Sequence, residues 1–178
     1  MIFGLTGKNA SGKGEVAKYL ITRGFSYFSL SDEIRDEAKK RNIEPTRENL
    51  ITLGNELREK NGPSALAKIV IKKIKKDSIV DSIRNPAEIN ELRKITDFVL
   101  ITVNAPIEIR FQRGVKRGRM GDADTLEKFR ELEEKENFKN TIGQQLDKCI
   151  SMADKVIVND GSLDELNKKV DKILNDEK

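Results

Sequence analysis

The sequence predicts an α/β fold: a mostly parallel sheet, covered by helices on both faces and built around a phosphate-binding loop. Three observations carry that expectation. Short apolar runs alternate with amphipathic helical segments along the chain, as in successive βα units. The first apolar run leads directly into Gly7-Lys-Asn-Ala-Ser-Gly-Lys-Gly14, and a helical pattern follows. The length, 178 residues with 37% hydrophobic, fits one compact domain and is short for two.

The expected strands cover 2–5, 27–30, 78–81, 98–103 and 155–158. Each is a short apolar run bounded by polar or turn residues. The expected helices cover 13–23, 31–41, 46–60, 63–76, 86–94, 106–117, 126–138, 143–153 and 163–174. The last carries Leu163, Leu166, Val170, Ile173 and Leu174 as one stripe, and Ser162-Leu-Asp-Glu165 reads as a capping box. Three helical segments fall between the second and third strands, where a plain βα unit needs one. The surplus reads as a helical region over the carboxyl edge of the sheet, where α/β ligand sites form.

The glycine loop has the spacing of a phosphate cradle. Gly7 and Gly12 let backbone N–H groups turn inward, and the helix beginning at Lys13 adds the positive end of its dipole. Lys13 adds a full charge for the β/γ-phosphates. Candidate nucleotide contacts are therefore Gly7, Lys8, Asn9, Ala10, Ser11, Gly12, Lys13, Gly14 and Glu15. Gly14 stands where the motif has a hydroxyl residue, so Mg²⁺ would be held by water and other groups.

Composition narrows the chemistry. There is one cysteine, Cys149, and no histidine. That excludes an intramolecular disulfide framework, common structural zinc sites and histidine-based catalysis. No apolar run approaches the ~20 residues of a membrane span, and the start of the chain lacks the charged region of a signal peptide. A cytoplasmic protein is expected. The net charge is +4, weak support for nucleic acid. The basic run Lys72-Lys-Ile-Lys-Lys76 reads as the polar side of a helix with Ile69, Val70 and Ile74 inward, so no nucleic-acid partner is expected.

Three further clusters suit a phosphate chain. The second strand runs into Ser29-Leu-Ser-Asp-Glu-Ile-Arg35, where Arg35 can clamp a second phosphate group bidentately. Asp32 there either meets Mg²⁺-bound water or favours the helix N-terminus, and the second reading is preferred. The third strand ends in Asp81-Ser-Ile-Arg-Asn-Pro86. Asp81 sits where a P-loop protein keeps its metal-associated acid, and would act through water, with Arg84 beside it. Arg110, Arg113 and Arg117 share one helix face and precede glycines at 118 and 121. Like charges on one face imply an anion opposite, so this reads as a short lid over a triphosphate.

Together these motifs resemble the nucleoside monophosphate kinase family, adenylate kinases most clearly. The loop is similar to that family's Gly-x-x-x-x-Gly-Lys-Gly, and 31–35 to its Gly-Asp-x-x-Arg. Asp81-Ser-Ile-Arg84 resembles a shortened Asp-Gly-Phe-Pro-Arg, and Arg113-Gly-Val-Lys-Arg117 the Arg-x-x-x-Arg that leads into the lid. The resemblance implies a P-loop NTPase fold with five parallel strands in the order 2-3-1-4-5. It implies a core of 1–30, 78–117 and 139–178, an acceptor-binding helical region 31–77 and a short lid 118–138. Asn159 would border the adenine. Glu15 stands where adenylate kinases have threonine. The segments Thr46-Arg-Glu-Asn-Leu50 and Leu53-Gly-Asn-Glu-Leu-Arg58 look more like small adenylate-kinase-related proteins and kinase modules fused to deoxycytidylate deaminases. The opening Gly-Leu-Thr-Gly resembles dephospho-CoA kinases.

The expected function is transfer of the γ-phosphoryl of ATP, with Mg²⁺, to a nucleoside monophosphate or similar nucleotide. Lys13, Arg84, Arg113 and Arg117 are the catalytic candidates, with Arg113 also on the nucleotide. Arg35, Arg84, Arg47 and Arg58 are the acceptor candidates. A phosphate acceptor is already ionised, so no general base is needed. Two alternatives stand beside this reading: a nucleotide-binding regulatory module or weak ATPase, and, among kinases, a dephospho-CoA kinase.

Overall fold

A computed structural model describes residues 1–118, 123–135, 137 and 142–177. Five strands form one parallel sheet in the order β2-β3-β1-β4-β5. They are β1 (Ile2–Thr6), β2 (Ser26–Ser29), β3 (Ser78–Asp81), β4 (Phe98–Asn104) and β5 (Lys155–Val158). The strand bounds match the sequence pattern to within one residue at each end, and the order is the expected one. β1 is central and wholly buried, hydrogen-bonded to β3 on one side and β4 on the other. Its continuous apolar run follows from burial on both faces.

The strand period of two sorts the core into two layers. Ile2, Val80 and Leu100 point to one face with Leu30, Ile34, Leu66 and Ile89. Phe3, Leu5, Ile79 and Ile101 point to the other with Val16, Leu20, Leu166 and Val170. The helices are α1 (Lys13–Thr22), α2 (Leu30–Lys40), α3 (Arg47–Asn61), α4 (Ala65–Ile71), α5 (Pro86–Leu92), α6 (Ile107–Arg117), α7 (Leu126–Glu134), α8 (Leu146–Ser151) and α9 (Leu163–Asp176). α1 and α9 supply the second layer, and α2 to α5 with α8 supply the first. The capping box at Ser162 and Glu165 is formed.

Three local expectations are corrected. α4 stops at Ile71, so the basic run 72–76 does not form a helix face. Ser78 captures the backbone of Lys75 as donor and acceptor, which turns the chain into β3. Ile69, expected inward, is exposed, while Val70 is buried and Ile74 is partly so. Leu163, the first residue of α9, is exposed too. The final segments of the 126–138 and 143–153 helices are also shorter: α7 ends at Glu134 and α8 covers Leu146–Ser151. Of the expected lid, 119–122, 136 and 138 lie outside the described residues.

Candidate active site

The glycine loop joins β1 to α1. Gly12 has φ +106° and forms the N-cap of α1 with no side-chain cap, so the first N–H groups of the helix face the loop. Two glycines are required here on steric grounds. A Cβ at Gly7, φ +133°, would lie 2.2 Å from the Val103 carbonyl oxygen. One at Gly12 would lie 2.0 Å from Asn159 Nδ2. Ala10 also takes a left-handed conformation, φ +57°, which aims the intervening N–H groups along the concave side. The Lys13 ammonium donates to the carbonyls of Gly7 at 2.6 Å and Lys8 at 2.9 Å. Asn159, buried after β5, clamps the loop from behind through Nδ2 to the Ser11 carbonyl at 2.9 Å.

The loop lies at one end of a cleft of about 1100 Å³. Asn9 to Glu15 line it, together with Asp81, Arg35, Arg47, Arg58, Arg84, Arg113 and Arg117. The structure therefore brings nearly all the sequence-selected residues to one space. Gly7, Lys8 and Asn159 are not among the residues that line it. Nine lysine and arginine side chains line the cleft against three acids, an excess that suits a polyanion. Glu15 does not oppose this charge alone: Lys18, one turn on, pairs with it at 2.8 Å.

The arginines differ in their holdings. Arg113 donates to the Asn159 carbonyl at 3.1 Å, and Arg117 to Asn9 Oδ1 at 3.3 Å. Both therefore lie against the loop. Arg110, expected to share their role, is buried and paired with Glu133 of α7. The anion opposite it is a protein carboxylate, which locks α6 to α7. Arg35 bonds Ser31 Oγ at 2.8 Å and Asp32 at 3.1 Å, in the first turns of α2. Asp32 is thus a local partner of Arg35. Arg47 lies over the Phe129 ring, its guanidinium carbon 5.5 Å from the centroid.

Arg58 and Glu88 form a fully buried ion pair at 2.7 Å, α3 to α5. The second Glu88 oxygen accepts the backbone N–H groups of Arg84 and Asn85 at 2.9 and 3.0 Å. One carboxylate thus holds both the Arg58 side chain and the turn that carries Arg84.

Asp81 lies at the carboxyl end of β3, beside β1, and is buried. Oδ1 accepts the Ser82 N–H at 2.5 Å, and Oδ2 accepts the Tyr27 hydroxyl at 3.0 Å. Burial, then the Asp81 charge, push the Tyr27 hydroxyl far above its usual range, so it keeps its proton and donates. Tyr27 was missed in the sequence. Its register on β2, two residues before the partner of Asp81, is the only signal. Tyr27→Phe is expected to cost about 1 kcal/mol in urea unfolding; an unmoved midpoint would mean that water replaces the bond. Gln144 was also missed, since no motif surrounds it. Cys149 is buried, and its thiol is pushed up by burial and by Glu88. It is a core side chain with no nucleophilic character.

The residues fit Mg²⁺ through one carboxylate and water. No group of three or more metal-ligating acids or cysteines occurs among the described residues. Asp81 is a buried carboxylate at the end of β3 that lines the same cleft as the loop, and Ser11 Oγ in the loop is buried with no hydrogen-bond partner among the described residues. No helix among the described residues is long and apolar enough to cross a membrane.

A five-stranded parallel sheet in this order, a glycine loop capping α1 and a cationic cleft define a P-loop protein of kinase-like fold. A family model described as an AAA domain matches residues 6–130, and the chain belongs to that family. It is also a member of the UPF0200 family. It is 37% identical to a UPF0200 protein of Pyrococcus horikoshii over 98% of this chain and 96% of that one. It is 36% identical to one of Sulfurisphaera tokodaii over 97% and 95%. Among solved structures it is similar to TT1252 from Thermus thermophilus (TM-score 0.60, 18% identity, 99% of this chain and 97% of that one). It is also similar to a shikimate kinase from Acinetobacter baumannii in complex with shikimate (TM-score 0.58, 17% identity, 99% and 94%). Those likenesses concern the fold alone. The expected kinase-like P-loop fold is borne out.

Proposed function

We propose that this protein transfers the γ-phosphoryl group of ATP to a nucleoside monophosphate or similar nucleotide. One observation carries the reading: the cleft that begins at the loop continues to a second cationic group, Arg35, Arg47 and Arg84, on other elements. Hydrolysis needs one phosphate site. Transfer between two phosphate-bearing molecules needs two, facing each other.

In this reading the loop from Gly7 to Glu15 cradles the β- and γ-phosphates, Lys13 neutralises them, and Arg113 and Arg117 close on the charge that develops in transfer. Asn159 borders the adenine. Arg84 lies between donor and acceptor, and Arg35, Arg47 and Arg58 serve the acceptor. The acceptor phosphate oxygen attacks the γ-phosphorus, the bond to the β–γ bridging oxygen breaks, and ADP leaves. Asp81, through water, would hold Mg²⁺, which would offset the negative charge of the phosphates when bound. The residues 31–77 act as the acceptor region and 118–138 as a short lid on the remaining core. A cytoplasmic location suits this chemistry, and no nucleic acid or membrane partner is proposed.

The test is a coupled ADP-release assay with ATP and Mg²⁺ against ribo- and deoxynucleoside monophosphates and dephospho-CoA. One acceptor that strongly stimulates release, with its phosphorylated product identified, supports the proposal and names the substrate. Strong stimulation by dephospho-CoA alone selects that variant. Slow release indifferent to every acceptor favours the regulatory or ATPase reading, which Glu15 in the loop and Gly14 in place of its hydroxyl residue support. Arg35→Ala is expected to raise the acceptor KM about tenfold or more, the loss of a charge-assisted bond, with the ATP KM little changed. Equal rises in both would remove Arg35 from the acceptor side.

A further inference from the structure

The acceptor half of the cleft has a floor whose polar groups are only partly used. Arg58 and Gln144 both line the cleft and are 1% and 2% exposed. Arg58 Nη1 and Gln144 Oε1 are buried, and neither has a hydrogen-bond partner among the described residues. Leaving such atoms unmatched costs about 1–3 kcal/mol each, so a fold keeps them only for a return.

The floor is built firmly. The Gln144 N–H donates to Asn55 Oδ1 on α3 at 3.0 Å, one turn before Arg58. The Gln145 N–H donates to the Arg84 carbonyl at 2.8 Å. Asn85 Nδ2 donates to the carbonyls of Ile142 and Gly143 at 3.2 and 2.6 Å. Gly54 leaves room for the guanidinium, since a Cβ there would lie 3.2 Å from Arg58 Nη1 and 2.8 Å from Ile34 Cδ1. Segment 142–145 is thus pinned between α3 and the turn at 84–85.

Charge separates this floor from the phosphate-binding arginines. Glu88 meets the Arg58 charge at 2.7 Å, so the pair is locally neutral and poorly suited to a phosphate. What the floor offers is one donor and one acceptor on planar groups, beside apolar walls from Ile34, Pro45, Leu50 and Ile51. We propose that Arg58 and Gln144 form a specificity pocket for an uncharged heterocycle, the base of the acceptor nucleotide, read through an edge that presents an acceptor beside a donor. The pocket rests on the proposed kinase reading, and gives Arg58 the base in place of the phosphate.

Equilibrium binding separates the two. Calorimetry without ATP would compare AMP, CMP, UMP and GMP with ribose 5-phosphate, which has no base. One nucleotide is expected to bind at least about tenfold more tightly than ribose 5-phosphate. Gln144→Met, similar in shape and unable to accept strongly, is expected to lose about 10–100-fold for that nucleotide and nothing for ribose 5-phosphate. If Gln144→Met unfolds, Gln144→Asn, which withdraws the oxygen by one methylene, is expected to show the same selective loss. Equal binding of all five ligands overturns the pocket, as does an equal loss for ribose 5-phosphate in the variant. Selective binding without any transfer in the ADP assay would sink the kinase reading and leave the pocket standing. Transfer to all bases alike would do the reverse.

Discussion

Lys13→Ala is expected to lower phosphoryl transfer by at least about 10²–10³-fold, the scale of losing one preorganised electrostatic donor. The ammonium is held over the loop by the Gly7 and Lys8 carbonyls, so its position costs little to organise when phosphates arrive. The backbone N–H groups of the loop and the start of α1 stay behind in the variant. Some nucleotide binding should therefore survive the loss of turnover. Turnover equal to that of the wild type would remove the loop from the mechanism and, with it, the kinase proposal.

Glu88→Ala is expected to be the most damaging single change to stability. It strands the Arg58 guanidinium, fully buried and left without its carboxylate. It also removes the acceptor for the Arg84 and Asn85 N–H groups. Breaking one side of a buried pair costs about 3–5 kcal/mol, because the remaining charge is uncompensated. For a chain of this size that is a fall of roughly 6–20 °C in Tm. Adding Arg58→Leu should recover part of the loss, since the stranded charge then goes too. A Tm within 2 °C of the wild type for Glu88→Ala would mean that the pair contributes nothing to the fold. Recovery by Arg58→Leu would not restore acceptor binding, which separates the structural role of the pair from its proposed use.

Much of the fold was legible because it depends on local pattern. The all-apolar run 2–5 can only be a strand buried on both faces, and Gly7 and Gly12 mark backbone that a side chain would obstruct. Residues 13–15 must then open a helix. The helix ends were less legible. α4 stops short because Ser78, seven residues beyond its end, takes the Lys75 backbone. Such a contact leaves no trace in apolar spacing. Leu163 fits the α9 stripe, yet lies outside the core at the first position of the helix.

The candidate site divides in the same way. The cradle, Asp81, Arg35 and Arg84 belong to motifs that follow a strand end within a few residues, whereas Arg113 and Arg117 lie further on, in α6. Which arginine faces the cleft and which is spent inside the protein could not be read there. Arg110 and Arg113 are one helical turn apart. Only the packing of α7 gives Arg110 to Glu133, 23 residues away. Glu88 has a local signature: Asn85-Pro-Ala-Glu88 has capping-box spacing, and the box forms. Its second partner, Arg58, lies 30 residues back and has no such signature.

The sequence by itself determined the strands, the phosphate loop and the side of the sheet on which the chemistry must gather. Periodicity and backbone sterics act over a few residues and are written in them. Only the tertiary structure decided the pairings of Arg58 with Glu88, Arg110 with Glu133, Tyr27 with Asp81, and the place of Gln144 on the cleft floor. Those depend on which surfaces meet when the helices pack. A buried charge or amide takes whatever partner the packing brings within reach, because leaving it alone costs more than any local preference can supply.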